Sequence, residues 1–491
     1  MFSEKALELW DPAPFRATLT RASYTARTAE DLGIKSLPDP FARTAVVRRT
    51  FPDSPVSIAY RLFDAGEPVT GREALLLFGE QLHGLVTLGL IEPLGNDLVR
   101  SVAHLDADAA GWFASDHAAA LLSSRTDYTM GIGQSTRMIA ALAPGRPGAT
   151  ALDLCSGAGW GALRLAESGC VVTAADINSR AIGFARFNAR LAGCAPIEFL
   201  EGDLFKPVEG RKFDIVIANP PFVISPESTY TFRDSGLSGD SFCEHLARRV
   251  PEFLNPNGIG LMLLNWYDDG AEKSSTRPLD WLEGSGCGAW LMRSITQNPA
   301  DYATRWLRDS GHGRTPSSEA LDRWVAYLAE IGARRIHYGF LAIHRGHGPA
   351  WTRSEARKID EVELNCGDEV RRVVEGEAWL AHHQSDDARL LDGSYTVVNG
   401  IHAKTDMILD KGWGAQTIRL VSPGKLSYDG QIDEFLLRLL ALCREGKPPA
   451  AMVAELRATP HFANKPELAS QIAGLVRELI RHGLLVPAVS A

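Results

Sequence analysis

The motif Asn219-Pro220-Pro221-Phe222 follows a short apolar segment, residues 213–218, and its residue types suit chemistry on a planar nitrogen. An Asn carboxamide and a constrained backbone carbonyl can together accept both hydrogens of an NH2 group, which directs the nitrogen lone pair toward an incoming electrophile. The prolines hold φ near about −65°, so the carbonyl direction is set before a ligand binds. Phe222 offers an aromatic face for stacking. The motif alone would be an ordinary turn after a strand, so its context decides its interpretation.

A glycine-rich segment, ALDLCSGAGWG at residues 151–161, precedes this motif. Asp153 lies near the end of an apolar run, and Gly157 and Gly159 follow before a helical pattern begins. Glycines suit a tight turn that a ligand approaches closely, because they carry no Cβ. With Ala162 the segment also satisfies the looser G-x-G-x-x-G/A dinucleotide pattern. A nicotinamide or flavin enzyme is therefore one alternative.

Three acids, one near the end of each of three successive predicted strands, distinguish these alternatives. Asp153 precedes the glycines, Asp176 ends the run VVTAAD, and Asp203 lies in LEGDLF. An acid about twenty residues after the glycine loop can hold both ribose hydroxyls. Asp203 follows where a carboxylate could meet an adenine amino group. This set suits a cofactor with an adenine, a ribose and a positive sulfonium, and it suits an anionic pyrophosphate poorly.

The central part of the chain alternates short apolar runs with helical patterns. Short runs rich in Val, Ile and Leu are typical of buried strands in a mostly parallel sheet, which predicts a doubly wound α/β fold. The runs are residues 151–154, 170–174, 213–218, 260–264, 290–294 and 337–343. We expect three domains: residues 1–115, a catalytic domain at residues 116–347, and an accessory domain at residues 348–491.

The two flanking regions end in similar ways. An apolar helical pattern runs into Gly89-Leu90-Ile91 in the first region and into Gly483-Leu484-Leu485 in the last. A Gly-x-Pro turn precedes each pattern, at Gly66 and at Gly446. Helix, turn, helix and hairpin is the outline of a winged helix, so we interpret both regions as winged-helix-like, with a strand-rich segment before the second. Two unrelated amphipathic helices with similar ends are the alternative.

Together these motifs resemble the class I S-adenosylmethionine-dependent methyltransferases of the NPPF-type branch. That branch includes release-factor glutamine, ribosomal RNA guanine-N2 and DNA adenine-N6 methyltransferases. The resemblance covers roughly residues 127–345. It implies a Rossmann-like, seven-stranded sheet whose last strand is inserted antiparallel, and S-adenosylmethionine as the cofactor.

The resemblance also assigns roles to residues. The loop at Gly157 and Gly159 would hold the methionine part of the cofactor, and Asn219 would bind the nucleophile. The segment DYTMGIGQST at residues 127–136 is similar to the loop that closes over the methionine end. Asp176 would bind the ribose and Asp203 the adenine. The other residues expected to bind the cofactor are Tyr128, Gly133, Thr136, Asp153, Ile177, Leu204 and Asn219.

A polar loop after the motif predicts where the substrate binds. Tyr230, Arg233 and Asp240 could orient a charged substrate, and Trp266 follows the next apolar run. For Asp240 the alternative is a helix N-cap, and for Trp266 it is core packing. The histidines lack the partners of a ligand set, so we expect no metal site.

The charge composition bears on which class of molecule accepts the methyl group. The 491 residues carry a net charge of −9, which counts against a dedicated nucleic-acid binder. Several acids of the first region strengthen this argument, namely Asp64, Glu67, Glu73, Glu80, Glu92 and Asp97.

The sequence therefore favours a small metabolite as acceptor, with an amide, amine or guanidine nitrogen. An RNA or DNA base and a protein glutamine are the alternatives, and a homodimer surface is one use for the flanking regions. A regulator that only senses the cofactor is disfavoured, because the Asn-Pro-Pro-Phe motif is intact. Seven scattered cysteines without a CxxC pair, no apolar run of membrane-spanning length and no signal-peptide pattern predict a cytoplasmic protein without a membrane partner.

Overall fold

The structure is a computed structural model that describes residues 2–37, 39–118, 120, 126–227, 236–310, 316–358, 366–383, 386–409 and 413–488. The chain forms two compact units. The first contains Met1–Arg137, Arg146–Arg211 and Ile217–Ser238, and the second contains Met138–Gly145, Lys212–Val216 and Gly239–Ala491. The division into three domains stays a prediction.

The first region of the chain consists of short helices followed by small sheets. Its elements are α1 Glu4–Leu9, α2 Ala13–Arg21, α3 Ala26–Asp31, α4 Pro40–Thr50, α5 Pro55–Ala59, a π-helix Tyr60–Asp64, β1 Val69–Thr70, α6 Gly71–Phe78, α7 Gln81–Leu88, β2 Ile91–Gly95, β3 Leu98–Ser101, β4 His104–Asp108 and β5 Gly111–Ser115. A capping box of Thr70 and Glu73 starts α6, and Gly89 ends α7 in a left-handed conformation. Helix, helix and hairpin follow one another in the expected order, and the winged-helix assignment stays a prediction.

The acids of this region are mostly ion-paired. The pairs are Asp64 with Arg43, Glu67 with Arg48, Glu73 with Arg61 and Glu92 with Arg100. These arginines are already included in the net charge of −9, so the ion pairs leave the charge argument against a nucleic-acid partner unchanged.

The parallel strands of the first unit position the glycine loop and the strand-end acids. The elements from the middle of the chain are α8 Gln134–Leu142, β6 Thr150–Leu154, α9 Trp160–Glu167, β7 Val171–Asp176, α10 Ser179–Ala192, β8 Ile197–Glu201 and β9 Phe213–Ala218. Strand β7 pairs in parallel with β6 and with β8. Because the carboxyl ends of parallel strands meet at one edge of a sheet, the loops after β6, β7 and β8 share that edge.

The second unit contains the antiparallel part of the sheet. Its elements are α11 Ser241–Arg249, β10 Leu254–Asp268, β11 Gly288–Gln297, α12 Pro299–Ser310, α13 Ser318–Glu330, β12 Arg335–His344 and β13 Thr352–Ala356. Strand β12 lies between β10 and β11 and is antiparallel to both, which confirms the prediction for the last strand. The sheet has eight strands rather than the expected seven. The extra strand, β13, pairs in parallel with β11 and lies beyond the domain boundary predicted at residue 347.

The last part of the chain is more helical than expected. Its elements are α14 Gly367–His383, α15 Asp387–Asp392, β14 Tyr395–Val397, β15 His402–Leu409, β16 Trp413–Val421, β17 Asp429–Ile432, α16 Glu434–Arg444, α17 Ala450–Arg457, α18 Leu468–Arg481 and β18 Leu485–Pro487. Helix α14 falls in the segment predicted to be strand-rich, and that prediction was wrong there. The face of α14 that packs inward includes Glu369, Gly376 and Glu377, which interrupt the apolar pattern of a buried helix face.

No helix in the described ranges is long and apolar enough to cross a membrane.

Candidate functional site

The loop between β6 and α9, together with the first turn of α9, contains three glycines, and their missing Cβ atoms leave the backbone open to close approach. Gly157 has φ 53° and Gly159 has φ 89°, both in the left-handed region. A Cβ on Gly159 would lie 3.0 Å from the Ala185 Cβ, and one on Gly161 would lie 2.8 Å from Asp153 Oδ2. The three glycines therefore provide the conformation and the close packing that bring this loop to the sheet edge.

Asp176, at the end of β7, fastens the glycine loop to the neighbouring strand. Its Oδ2 accepts a hydrogen bond from the Gly157 N–H at 2.8 Å, and its Oδ1 accepts one from the Asn178 N–H at 2.8 Å. Burial raises the pKa of this carboxyl, and the backbone hydrogen bonds oppose that rise. Asp176 thus shapes the loop and lies where the sequence predicts a contact with the ribose.

Asp153, at the end of β6, is 4% exposed, and its Oδ2 has no hydrogen-bond partner among the described residues. Burial raises its pKa to about 7, against a lowering contribution from the Ala162 backbone N–H. The carboxyl lies beneath the glycine loop, so its environment favours loop support over the alternative, contact with a cationic ligand.

The adenine side of the predicted site is more open. Asp203 has a half-exposed side chain, and its Oδ2 accepts a hydrogen bond from Lys206 Nζ at 2.8 Å. Leu204 adopts φ 48°, an uncommon conformation for a residue with a Cβ. Ile177 is 56% exposed, which leaves an apolar side chain available beside the end of β7. An exposed aliphatic side chain near a strand-end acid suits the flat face of a base.

The segment before α8 is anchored by an ion pair that the sequence did not reveal. Asp116 accepts a bidentate hydrogen-bonded pair from Arg180, and its Oδ2 also accepts the Thr129 N–H at 2.9 Å. Asn178 Nδ2 donates to the Asp127 carbonyl at 3.0 Å. The segment that resembles the methionine-closing loop is therefore tied to the start of α10. No local spacing marks Asp116 and Arg180, which are distant in the chain.

The predicted cofactor residues of this segment lie on both sides of the start of α8. Tyr128 is buried, and burial together with the nearby Asp116 raises the pKa of its hydroxyl to about 12. The Gly133 carbonyl accepts the Arg137 N–H at 3.0 Å, and Gly133 and Thr136 are partly buried. These positions are compatible with the predicted contacts, which stay predictions.

Asn219 follows β9 directly and has an asymmetric environment. Its Nδ2 donates to Ser135 Oγ at 3.3 Å, whereas its buried Oδ1 has no hydrogen-bond partner in the described part of the chain. Pro220 is buried, and Phe222 is 9% exposed. A buried oxygen without a partner is costly unless a ligand supplies the donor.

A second polar atom without a partner lies in the glycine loop. Ser156 Oγ is buried and unbonded within the described residues. Two unsatisfied polar atoms, positive-φ glycines and strand-end acids together fit a ligand with an amino acid part and a nucleoside part. The residues present therefore fit the cofactor that the motifs imply.

Asn188 on α10 is a further residue that the sequence did not single out. It is fully buried, and its Nδ2 donates to the carbonyls of Ala114 and Ala158, each at 2.9 Å. Its Oδ1 accepts the Ala114 N–H at 2.7 Å. Asn188 thus joins the glycine loop to β5, a connection between segments distant in the chain.

The residues predicted to bind the substrate differ in their surroundings. Tyr230 and Arg233 lie outside the described residues. Asp240 is buried and pairs with Arg277, which was not predicted, so its carboxylate already has a partner and its substrate role stays a prediction. Trp266 is fully buried, and its Nε1 donates to the Ser275 carbonyl at 3.0 Å. Both features are those of core packing, the alternative for this residue, and the substrate contact of Trp266 stays a prediction.

Metal ligation was not expected. The described ranges contain no group of three or more His, Cys, Asp or Glu residues that could hold a metal ion.

Two protein families match separate parts of the chain. The family described as Methyltransferase small domain matches residues 130–236, which contain the glycine loop, the strand-end acids and Asn219. A domain of unknown function, DUF7782, matches residues 372–487. The known chemistry and the uncharacterised domain therefore lie in different parts of the chain.

Among curated proteins, a release factor glutamine methyltransferase of Yersinia pestis is 30% identical over 244 residues, covering 46% of this chain and 85% of that relative. A ribosomal protein uL3 glutamine methyltransferase of Xanthomonas campestris pv. campestris is 28% identical over 127 residues, covering 23% of this chain and 41% of the relative. The match to a release factor glutamine methyltransferase of Geobacter sulfurreducens likewise spans less than half of it, 43%.

Solved structures with the same kind of description also match. A methyltransferase from Pyrococcus furiosus aligns with a TM-score of 0.26 at 16% identity, over 41% of this chain and 77% of that one. A putative sarcosine dimethylglycine methyltransferase from Galdieria sulphuraria aligns with a TM-score of 0.27 at 18% identity, over 43% and 82%. At such TM-scores these likenesses carry no argument about function.

Proposed function

Because this chain belongs to the class I S-adenosylmethionine-dependent methyltransferases of the NPPF type, we propose that it methylates the carboxamide nitrogen of a glutamine side chain in a protein. It is an N-methyltransferase, and S-adenosylmethionine is its cofactor. Our proposal concerns the identity of the methyl acceptor.

The observation that carries the proposal is the buried, unbonded Oδ1 of Asn219. The Nδ2 of the same side chain donates one of its two hydrogens to Ser135 Oγ, so the carboxamide oxygen is the atom of Asn219 left as an open acceptor. A nitrogen that bears hydrogens can satisfy this oxygen, and a carboxylate or alkoxide oxygen cannot. A primary carboxamide also matches the planar shape that Phe222 would stack against.

The relatives support a protein acceptor more than the small metabolite that the sequence favoured. The curated relatives described above are named for methylation of glutamine in a release factor and in a ribosomal protein. A base of RNA or DNA is less favoured, because the net charge is −9 and no relative among those described is named for nucleic-acid methylation. A protein glutamine is therefore the acceptor that we test first.

The reaction needs little acid–base chemistry from the protein. S-adenosylmethionine supplies a methyl group on a good leaving group, the sulfonium. Asn219 Oδ1 accepts one hydrogen of the acceptor nitrogen, and the backbone carbonyl in the proline-constrained turn accepts the other. The acceptor nitrogen held in this way would take the methyl group that the sulfonium supplies, leaving a neutral thioether, and its surplus proton would pass to solvent. Alignment and exclusion of water supply most of the rate enhancement.

The test is methylation of purified bacterial release factor and ribosomal protein uL3 with S-adenosylmethionine labelled in the methyl group. Wild type should label a glutamine, located by peptide mass spectrometry, and Asn219→Ala should not. Asn464→Ala, which changes an exposed asparagine, is the matched control and should behave as wild type. Labelling of free small amides with both proteins unlabelled would overturn the protein acceptor.

A further inference from the structure

We propose that Ser135 is a positioning residue that fixes the plane of the Asn219 carboxamide beside the acceptor nitrogen. Ser135 lies in the first turn of α8, and its Oγ accepts the Asn219 Nδ2–H at 3.3 Å. The proposal rests on the proposed role of Asn219 in binding the acceptor. Ser135 itself acts only through Asn219.

The need for such a residue follows from the shape of an asparagine side chain. Rotation about its last torsion exchanges a donor for an acceptor with little change in volume, and that torsion is broad and roughly two-fold. In the exchanged orientation, the NH2 group of Asn219 would oppose the NH2 group of the acceptor. Two donors would then meet in a buried place, which costs the hydrogen bond and adds a desolvation penalty. Ser135 is the hydrogen-bond partner found for this carboxamide among the described residues. A hydroxyl can accept from the NH2 group or donate to the oxygen, so Ser135 fixes the plane of the carboxamide, and the hydrogens of the acceptor nitrogen favour the orientation in which the oxygen faces them.

Ser135 can hold Asn219 because α8 is itself fixed near both ends. In the first turn, Arg137 Nη1 donates to Asp108 Oδ2 at 2.8 Å, and the Arg137 N–H bonds the Gly133 carbonyl. At the other end, the Cys366 N–H donates to the Ala141 carbonyl at 2.7 Å. A Cβ on Gly367 would clash with the Ala143 carbonyl oxygen, so the segment entering α14 packs directly against the end of α8.

The kinetic test compares Ser135→Ala with Ser135→Thr. We expect Ser135→Ala to lower kcat by about tenfold, in keeping with one lost orienting hydrogen bond, with KM within about twofold of wild type. Ser135→Thr keeps a hydroxyl and should recover most of the rate. Ser168→Ala, at the exposed end of α9, is the matched control for the substitution itself. Calorimetric affinity for S-adenosylmethionine should be the same in all four proteins, which separates positioning from cofactor binding.

A second measurement needs no acceptor. Side-chain amide signals from protein with 15N-labelled asparagine would be recorded, and the Asn219 pair identified by its loss in Asn219→Asp. Ser135→Ala should shift that pair, and Ser168→Ala should leave it in place. An unmoved Asn219 pair, or an unchanged kcat in Ser135→Ala, would overturn the proposal. If wild type labels no protein acceptor, the proposed function fails, while the amide signal still decides whether Ser135 holds Asn219.

Discussion

At the scale of single residues, three aspartates that look equivalent in sequence have different surroundings. Asp153 is buried beneath the glycine loop, Asp176 accepts two backbone hydrogen bonds, and Asp203 is half exposed beside Lys206. A carboxylate that both shapes a loop and faces a ligand contributes more to the affinity for that ligand than a carboxylate that is already bonded to a lysine and to water. We therefore expect the three to differ in what their removal does.

Cofactor affinity should separate Asp176 from Asp203. Asp176→Ala removes the acceptor of the Gly157 and Asn178 N–H groups, so we expect S-adenosylmethionine to bind at least about tenfold more weakly. Asp203→Ala should weaken binding by a smaller factor, because its carboxylate is exposed and ion-paired. Calorimetric titration of S-adenosylmethionine and its demethylated product measures both. Equal losses in the two variants would contradict the different roles, and binding of NAD instead would contradict the cofactor.

The stability of the cofactor-free protein should depend on pH through Asp153. Burial raises its pKa from 3.8 to about 7, so folding favours the protonated carboxyl. That contribution is fully present below about pH 4 and is lost as the pH rises toward 7, with a slope of up to about 1.4 kcal/mol per pH unit. Asp153→Asn imitates the neutral form, so it should gain stability relative to wild type as the pH rises. Denaturant unfolding at pH 5, 6, 7 and 8 measures the difference, and a pH-independent gap would refute it.

At the scale of elements, the close approach of α14 to α18 explains why α14 has a glycine on its inward face. Gly376 lets α14 lie against α18, because a Cβ there would be 2.5 Å from the Ile480 carbonyl oxygen. Glu369 is buried but satisfied, since it accepts the N–H groups of Gly424 and Ser427 at 2.8 and 2.6 Å. A glycine and buried acids are poor signals of an inward-facing helix, so tertiary contacts decide the structure of this segment.

Two glycines in these helices form a matched pair for testing this packing. Gly376→Ala should destabilise the protein by about 2 kcal/mol, because the carbonyl oxygen that it meets belongs to the backbone and cannot easily move. Gly474→Ala in α18 meets no atom within 4 Å and should stabilise by about 0.5–1 kcal/mol through better helix propensity. Denaturant midpoints measure both. The packing argument fails if Gly376→Ala also stabilises.

At the scale of the whole molecule, Arg353 joins β13 to the C-terminal helices. It is buried, pairs with Glu377 of α14, donates to the Arg481 carbonyl, and lies with its guanidinium 5.2 Å from the centre of the Trp290 ring. Residues of the sheet and of the region matching DUF7782 therefore share one buried polar network in the second unit. We expect this region to unfold together with the strands that it contacts rather than as a separate domain.

Two Arg→Met substitutions test this coupling. Arg353→Met breaks a buried network and should cost about 3 kcal/mol, whereas Arg419→Met breaks an exposed pair with Asp429 and should leave the stability close to that of wild type. Hydrogen exchange would show whether β11 and α18 lose protection together in Arg353→Met. Loss confined to α18 would mean that the C-terminal region is an independent domain.

The sequence by itself was enough to predict the fold class and the order of the motifs. Residues 151–161, Asp176 and Asn219 predicted a Rossmann-like methyltransferase, because glycines, strand-end acids and prolines act through local backbone geometry. The antiparallel insertion of β12 followed from the resemblance rather than from its residues. Motifs of this kind can be recognised in a sequence because they depend on residues that are neighbours in the chain.

Only the tertiary structure decided what depends on residues distant in the chain. The partners Asp116 and Arg180, the Asn188 connection and the bond from Asn219 to Ser135 join segments that no periodicity relates. The burial of Trp266 and the extra strand β13 were likewise set by packing. No residue spacing in a single sequence marks long-range hydrogen bonds or burial, because both arise when the folded backbone brings separate segments together.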